Sequence, residues 1–158
     1  MLIATVDELR DDIRRWRSLI PEITPTHCQG MANKSSTMFK ALLRQLIESR
    51  VSAISYDLGA LLQQAGHKNA NAMGKLSLGK MTNLLLELTK HDRALAEACT
   101  LELRQSLRTV VEVRNDTTYE VPPEDMRAAT ERLLNLIERV LDEDSLVRLM
   151  PKDSATST

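Results

Sequence analysis

Aromatic residues are nearly missing from this chain of 158 residues, which contains one Trp, one Phe and two Tyr. The core must therefore be aliphatic, made of Leu, Ile, Val, Ala and Met. Cysteine is equally scarce: Cys28 and Cys99 are the two in the sequence, which excludes a disulfide framework like that of small secreted domains. Neither has a second Cys or a His at zinc-finger spacing, so we predict no metal site and no cofactor.

Long apolar runs are also lacking. No stretch of about 18 apolar residues occurs, which argues against a transmembrane helix. The N-terminus "MLIATVDELRDD" turns acidic at once and lacks a signal-peptide pattern. Apolar residues make up 42% and charged residues 27%, with a net charge of −1, as in ordinary soluble domains. We therefore expect a cytoplasmic protein with one domain over residues 1–150 and a flexible tail over 151–158.

What the sequence does contain is helical spacing of apolar residues along most of its length. Thr5-x-x-Glu8 forms a capping box, and Pro122-Pro123 suits a first helical turn. We interpret residues 21–35 as a long polar connection. The pattern predicts an all-α fold, an up-and-down bundle of about five helices. The predicted helices run from Thr5 to Ile20, from Ser35 or Ser36 to near Gly66, from Ser77 to near Lys90, from about Arg93 to Asn115 and from Pro123 to about 141, with a short helix over 143–149.

The fourth predicted helix carries an arginine where its apolar pattern calls for another Leu or Val. Its inward series includes Leu103, Leu107 and Val110, and the next step of four residues reaches Arg114. At about 100° per residue, Arg114 points within roughly 20° of Leu103, toward the core or a partner. Because a buried guanidinium is costly without partners, we expect a carboxylate, helix carbonyls or a bound phosphate to meet it. A purely structural tie between helix ends is the alternative interpretation.

Further polar residues point toward the same end of that helix. Asn115 shares one face with Arg104 and Arg108, which form a basic strip. In an up-and-down bundle the second and fourth predicted helices end at the same pole, so His67, just after the second helix, is expected near Arg114. We interpret Arg104, Arg108 and His67 as candidate RNA- or nucleotide-binding residues, with an ordinary solvated surface as the alternative.

Two segments of the sequence resemble the HEPN superfamily, a group of small all-α domains found in prokaryotic toxins, abortive-infection systems and RNA-processing proteins. "KLSLGKMTNLLLEL" is similar to a helix with a leucine-glycine-lysine motif in these domains. "VVEVRNDTTYEVPPEDMRAATERLLNLIERVL" is similar to their last two helices. The resemblance covers roughly residues 36–141.

The resemblance implies a metal-independent ribonuclease site that is completed by the partner protomer of a homodimer. In the family an arginine, often followed by asparagine, binds the phosphate, and a histidine a few residues later transfers the proton. This sequence keeps the pair as Arg114 and Asn115, but Tyr119 stands in place of the histidine. Because a tyrosine pKa near 10 suits proton transfer at neutral pH poorly, we expect a degenerate site made of Arg114, Asn115 and Tyr119.

We therefore predict a homodimeric module that is associated with nucleotide or RNA and has a degenerate ribonuclease site. The resemblance suggests a toxin–antitoxin or antiphage-defence setting, with a cognate antitoxin or another partner protein. Two alternatives stay open. One is a structural helical module that recruits a partner protein without catalysis, and the other is an active metal-independent endoribonuclease.

Overall fold

The computed structural model describes residues 5–67, 70–118 and 122–150, and every regular element in these ranges is helical. The prediction of an all-α fold is therefore confirmed, but the described ranges contain eight α-helices instead of about five. None of the described helices is long and apolar enough to cross a membrane. The helices are α1 (Val6–Leu19), α2 (Pro25–Ala53), α3 (Leu58–Gln64), α4 (Leu78–Leu88), α5 (Arg93–Ala98), α6 (Leu101–Thr118), α7 (Pro123–Leu141) and α8 (Asp144–Val147), with 3₁₀ turns at Ile20–Glu22 and Ala70–Lys75.

Three helices begin where the sequence predicts. The Thr5 hydroxyl accepts a hydrogen bond from the Glu8 amide at 3.1 Å, which caps α1. The Ser77 hydroxyl caps α4 in the same way, by accepting from the Lys80 amide at 3.2 Å. Helix α7 starts at Pro123, whose fixed φ suits a first turn. These starts follow from the sequence because a single local residue sets each of them.

The predicted start of the second helix is wrong. Helix α2 begins at Pro25, so that most of residues 21–35 is helix instead of a polar connection. The Thr24 hydroxyl caps α2 by accepting a hydrogen bond from the His27 amide at 3.3 Å. Proline occupies the first helical position. The predicted caps Ser35 and Ser36 lie inside the helix, where both hydroxyls donate to a carbonyl of the preceding turn.

The second helix also ends earlier than predicted, at Ala53 instead of near Gly66. Ser55 has a φ of 54°, the left-handed conformation that ends helices and usually belongs to glycine. The Tyr56 amide donates to the Val51 carbonyl at 2.9 Å, as in a Schellman motif. The short helix α3 follows, and a second such motif ends it, with Gly66 at a φ of 92°. The predicted helix end at Gly66 is thus the end of α3.

The fourth predicted helix is divided into α5 and α6 at Cys99 and Thr100. The Thr100 hydroxyl accepts a hydrogen bond from the Leu103 amide at 3.2 Å and so caps α6. The Arg104 guanidinium spans the break: its Nε donates to the Cys99 carbonyl at 3.0 Å and its Nη2 to the Thr89 hydroxyl at 3.2 Å. One arginine therefore ties the end of α4 to the connection between α5 and α6.

The core is aliphatic, as the composition predicts. Leu, Ile, Val and Met side chains from α1, α2, α4, α6 and α7 make up most of it, with Phe39 fully buried at its centre. Burial of this apolar surface is the main driving force for folding, and each fully buried Leu or Ile contributes about 1.5–3 kcal/mol.

Helix α2 is the central element and packs against α1, α4, α6 and α7. Near its start, the Gln29 side-chain amide donates to the Thr117 carbonyl at 3.2 Å. Near its end, Arg50 pairs with Asp92, which precedes α5. Helix α2 therefore runs antiparallel to α6. Because α3 and the 3₁₀ turn after it carry the chain back, the start of α4 and the C-terminal half of α6 meet against the same part of α2.

Candidate anion-binding site

A cavity of about 340 Å³ lies where the start of α4 and the C-terminal half of α6 meet the middle of α2. We call it the Arg114 cavity. Of the predicted catalytic residues, Arg114 and Asn115 are both on its wall, whereas Tyr119 lies outside the described residues. The residues that line the cavity are Ser36, Thr37, Lys40, Ser77, Leu78, Gly79, Val111, Arg114 and Asn115.

Arg114 is half-buried, as its place in the apolar stripe of α6 predicts. Its Nη1 atom is buried and has no hydrogen-bond partner. Burial lowers the pKa of the Arg114 guanidinium from its ordinary value, although an arginine stays protonated at neutral pH. The expected carboxylate or carbonyl partner is not found among the described residues, so none of them compensates the charge of this cation at the cavity wall.

Lys40 brings a second positive charge to the Arg114 cavity. Neither Lys40 nor Arg114 forms an ion pair with a described residue. None of the described side chains on the cavity wall is a carboxylate. Because two cations share a partly enclosed space without a counter-charge, the cavity favours a bound anion.

The first turn of α4 forms another wall of the cavity. The amides of Leu78 and Gly79 precede the first intrahelical hydrogen bonds, and this end of a helix carries partial positive charge. Gly79 allows the turn to approach α6, since a β-carbon there would lie 3.3 Å from a methyl carbon of Val111. The leucine-glycine-lysine motif therefore lies where α4 contacts α6, one turn before Arg114.

The predicted basic strip does not extend into the cavity. Arg104 lies about 15 Å before Arg114 along α6, and its hydrogen bonds go to Cys99 and Thr89. Arg108 is exposed and is not on the cavity wall. Arg104 therefore holds helices together, and Arg108 faces solvent.

His67 is not brought to the cavity, and the geometric reason for expecting it there is wrong. The prediction required a second helix that ends near Gly66 and runs parallel to α6, but α2 ends at Ala53 and is antiparallel to α6. His67 is three residues after Gln64, and the side-chain oxygen of Gln64 lies 2.7 Å from Nε2 of His91. His91 comes just after the end of α4. The start of α4, which lines the cavity, is at the other end of that helix.

Sequence reasoning missed the part of the site that α2 supplies. Ser36, Thr37 and Lys40 all line the cavity, and Arg44 follows one turn later. Ser36, Lys40 and Arg44 recur every four residues, which makes a polar stripe along one side of α2. This four-residue spacing is the sequence signal for the α2 wall, and an interpretation of Ser36 as a helix cap hides it.

The Cys28 and Cys99 thiols are buried, and neither residue lines the Arg114 cavity. Burial raises the pKa of Cys28, and it raises the pKa of Cys99 to about 11. Neither side chain is therefore an effective nucleophile at neutral pH. In the part of the chain that the structure describes, no three His, Cys, Asp or Glu side chains are grouped as metal ligands.

No protein-family model matches the chain, and searches of curated proteins and of solved structures likewise return no match. The resemblance to the HEPN superfamily therefore stays a prediction. The function has to be argued from the geometry and charge of the Arg114 cavity.

Proposed function

We propose that this chain is a HEPN-like binding module whose Arg114 cavity holds a phosphate group of a nucleotide or RNA, and that it lacks efficient ribonuclease activity. The observation that carries the proposal is the buried Nη1 atom of Arg114, which has no hydrogen-bond partner. A buried donor left unsatisfied costs about 1–3 kcal/mol, and more when it is charged. A phosphate bound in the cavity would supply the missing negative charge, and its oxygens would accept from Nη1 once the guanidinium turns toward the cavity.

The rest of the cavity fits the same ligand. Lys40 adds a point charge on the same wall, where the Ser36 and Thr37 hydroxyls already donate to carbonyls of the preceding turn. The first turn of α4 adds backbone amides and the positive end of a helix dipole, a combination that commonly binds phosphate. A planar guanidinium, an ammonium and amide donors together match the several acceptor oxygens of a phosphate.

Binding fits the cavity better than cleavage does. General acid–base catalysis needs a group that titrates near the working pH. The described side chains on the wall are hydroxyl, amide, aliphatic, lysine and arginine groups, and none of them is a histidine, the commonest general acid or base. With tyrosine in place of the family histidine, we expect RNA to be bound and cleaved slowly or not at all.

Assembly and context belong to the same proposal and rest on the resemblance alone. We propose a homodimer with a two-fold axis, the commonest symmetric assembly, in a toxin–antitoxin or antiphage-defence setting. Light scattering should report two copies at micromolar protein. A monomer under those conditions would remove this part of the proposal and leave the phosphate site as it stands.

The first test measures binding of a labelled short RNA with a 5′-phosphate between about 50 and 200 mM salt. Arg114→Met should weaken binding at low salt by about tenfold or more and reduce the salt slope by about one. Arg93→Met is the matched control: Arg93 is 92% exposed on α5, and the substitution removes the same charge. It should change the affinity by less than about twofold.

Two results would contradict the phosphate proposal. One is a wild-type protein that binds neither RNA nor inorganic phosphate at low salt, and the other is an equal loss of binding in both variants. Either would favour the structural alternative, a helical module that recruits a protein. For that alternative, a candidate docking surface is the open groove of about 750 Å³ between α6 and α7, which has acidic and basic residues such as Glu131 and Arg132 on its wall.

A further inference from the structure

A second cavity, of about 250 Å³, adjoins the Arg114 cavity along α2. Thr37 and Lys40 line both cavities, so that the two share one wall. We call the second one the methionine cavity. Its remaining lining residues are Ala41, Arg44, Met73, Gly74 and Met81.

The two cavities differ in chemistry. The Arg114 cavity has two unpaired cations and the start of a helix. The methionine cavity has apolar walls from Ala41, Met73 and Met81, and its additional charged group, Arg44, is already paired with Glu48 at 2.7 Å. The Arg114 cavity therefore suits an anionic group, and the methionine cavity suits an apolar group.

The side chains of the methionine cavity favour a flat aromatic group. Thioether sulfur makes favourable contacts with aromatic rings, and methionine adapts its shape to an irregular partner. The Arg44 guanidinium is planar, and its ion pair with Glu48 restricts its orientation. A guanidinium plane stacks readily on an aromatic ring such as a nucleobase.

The length of the combined space also fits. Ser36, Lys40 and Arg44 lie at successive turns of α2, and the eight steps from the first to the last span about 12 Å at about 1.5 Å per residue. The two cavities together fall in the range of about 300–1,000 Å³ that is usual for small-molecule sites. An extended phosphate–ribose–base unit has a similar length.

We infer that the two cavities form one site for a nucleoside monophosphate, with its phosphate in the Arg114 cavity and its base against Met73 and Met81. The inference rests on the proposed phosphate site and adds the class of ligand. The ribose then lies beside Thr37 and Lys40, the wall that the cavities share. An internal phosphate of a long RNA would bring a second nucleoside, on its other ester oxygen, to the partly enclosed Arg114 cavity, whereas a nucleoside monophosphate brings none.

Gly74 offers a way to close the methionine cavity alone. It is exposed, and a β-carbon there would meet only Arg44, with Nη1 at 3.6 Å, an ordinary contact. Gly74→Leu should therefore fill part of the cavity without disturbing the core. Gly74→Ala is the matched control, because it makes the same backbone change and leaves most of the space open.

Calorimetry should compare AMP, ribose 5-phosphate and inorganic phosphate. AMP should bind wild-type protein about fivefold or more tightly than ribose 5-phosphate, since stacking of one base contributes at least that much. Gly74→Leu should remove most of this difference and leave the affinity for ribose 5-phosphate unchanged. Gly74→Ala should keep it.

Different results would contradict the nucleoside monophosphate site and the proposed phosphate site on which it rests. AMP binding no tighter than that of ribose 5-phosphate, or a loss of affinity for both ligands in Gly74→Leu, overturns the inference and leaves the phosphate site intact. AMP binding that survives Arg114→Met overturns the phosphate site itself. An RNA without a terminal phosphate that competes as well as AMP overturns the inference in favour of an internal chain phosphate.

Discussion

Arg50 and Arg114 are both partly buried arginines on long helices, but their surroundings are opposite. Arg50 is 18% exposed and makes two hydrogen bonds to the Asp92 carboxylate, at 2.6 and 3.1 Å. Asp92 is 1% exposed and also caps α5 by accepting from the Leu95 amide at 3.3 Å. Arg114 has a buried Nη1 without a partner and shares a cavity with Lys40.

This difference is the basis for proposing a structural role for Arg50 and an anion-binding role for Arg114. At the Arg50–Asp92 pair, charge and hydrogen-bonding capacity are satisfied inside the chain, so nothing further is needed from solution. At the Arg114 cavity the fold brings two cations together with no counter-charge among the described residues, which favours a bound anion. The two sites should therefore respond in opposite ways to the same substitution.

The largest expected effect comes from Arg50→Met, which leaves the buried Asp92 carboxylate without its partner. Breaking one side of a buried pair costs about 3–5 kcal/mol, which corresponds to a fall in Tm of roughly 6–20 °C for a chain of this size. Thermal unfolding followed by circular dichroism measures it. A decrease in Tm of less than about 2 °C would show that the Arg50–Asp92 pair stabilises the fold no more than a surface ion pair does. Arg50 and Arg114 would then not differ in their contribution to stability.

The next effect is a pH dependence that belongs to the Arg50–Asp92 pair alone. Burial by itself raises the pKa of Asp92, but hydrogen bonds from Arg50 and the Leu95 amide and the attraction of Arg50 outweigh it, so the pKa is lowered overall. The resulting stability is present above the unfolded pKa of about 3.9 and is lost as the pH falls through the lower folded pKa.

Asp92→Asn isolates this effect because asparagine keeps the helix cap and cannot titrate. The wild type should be more stable than Asp92→Asn at neutral pH, and the difference should shrink as the pH falls below about 4. Urea denaturation of both proteins at several pH values measures the difference. A constant difference over this range would contradict the assignment of the lowered pKa to Asp92.

The smallest effect, and the one of opposite sign, is expected for Arg114→Met in the absence of ligand. The substitution removes a buried donor that has no partner and keeps an apolar chain of similar length. The free energy of unfolding should stay the same or rise by about 1 kcal/mol, since removing an unsatisfied buried group is neutral or stabilising. A decrease of more than about 2 kcal/mol in the free energy of unfolding would show that Arg114 stabilises the fold, as Arg50 does.

Helix boundaries could be predicted from the sequence where one residue fixes the backbone. Thr5 and Ser77 cap their helices, and Pro123 starts α7, as local sequence indicates. Helix ends without such residues were missed. Ser55 adopts a left-handed φ that local sequence assigns to glycine, and only the surrounding fold holds it there.

The break between α5 and α6 was missed for a related reason. Neither glycine nor proline marks it, and the Thr100 cap looks like any threonine within a helical pattern. The Arg104 guanidinium stabilises the break through the Cys99 carbonyl and through Thr89, which lies at the end of another helix. A contact between segments far apart along the chain leaves no periodic signal in the sequence.

The sequence by itself determined that this protein is helical, that its core is aliphatic and that Arg114 would be partly buried, because each of these follows from local spacing and composition. Only the tertiary structure decided what meets Arg114. Three chain segments converge there because α2 and α4 run parallel to each other and antiparallel to α6, and that arrangement depends on a helix end at Ser55 without glycine. Packing between distant helices therefore brought Lys40 and the start of α4 to the arginine, and among the described residues it left the carboxylates outside the cavity wall.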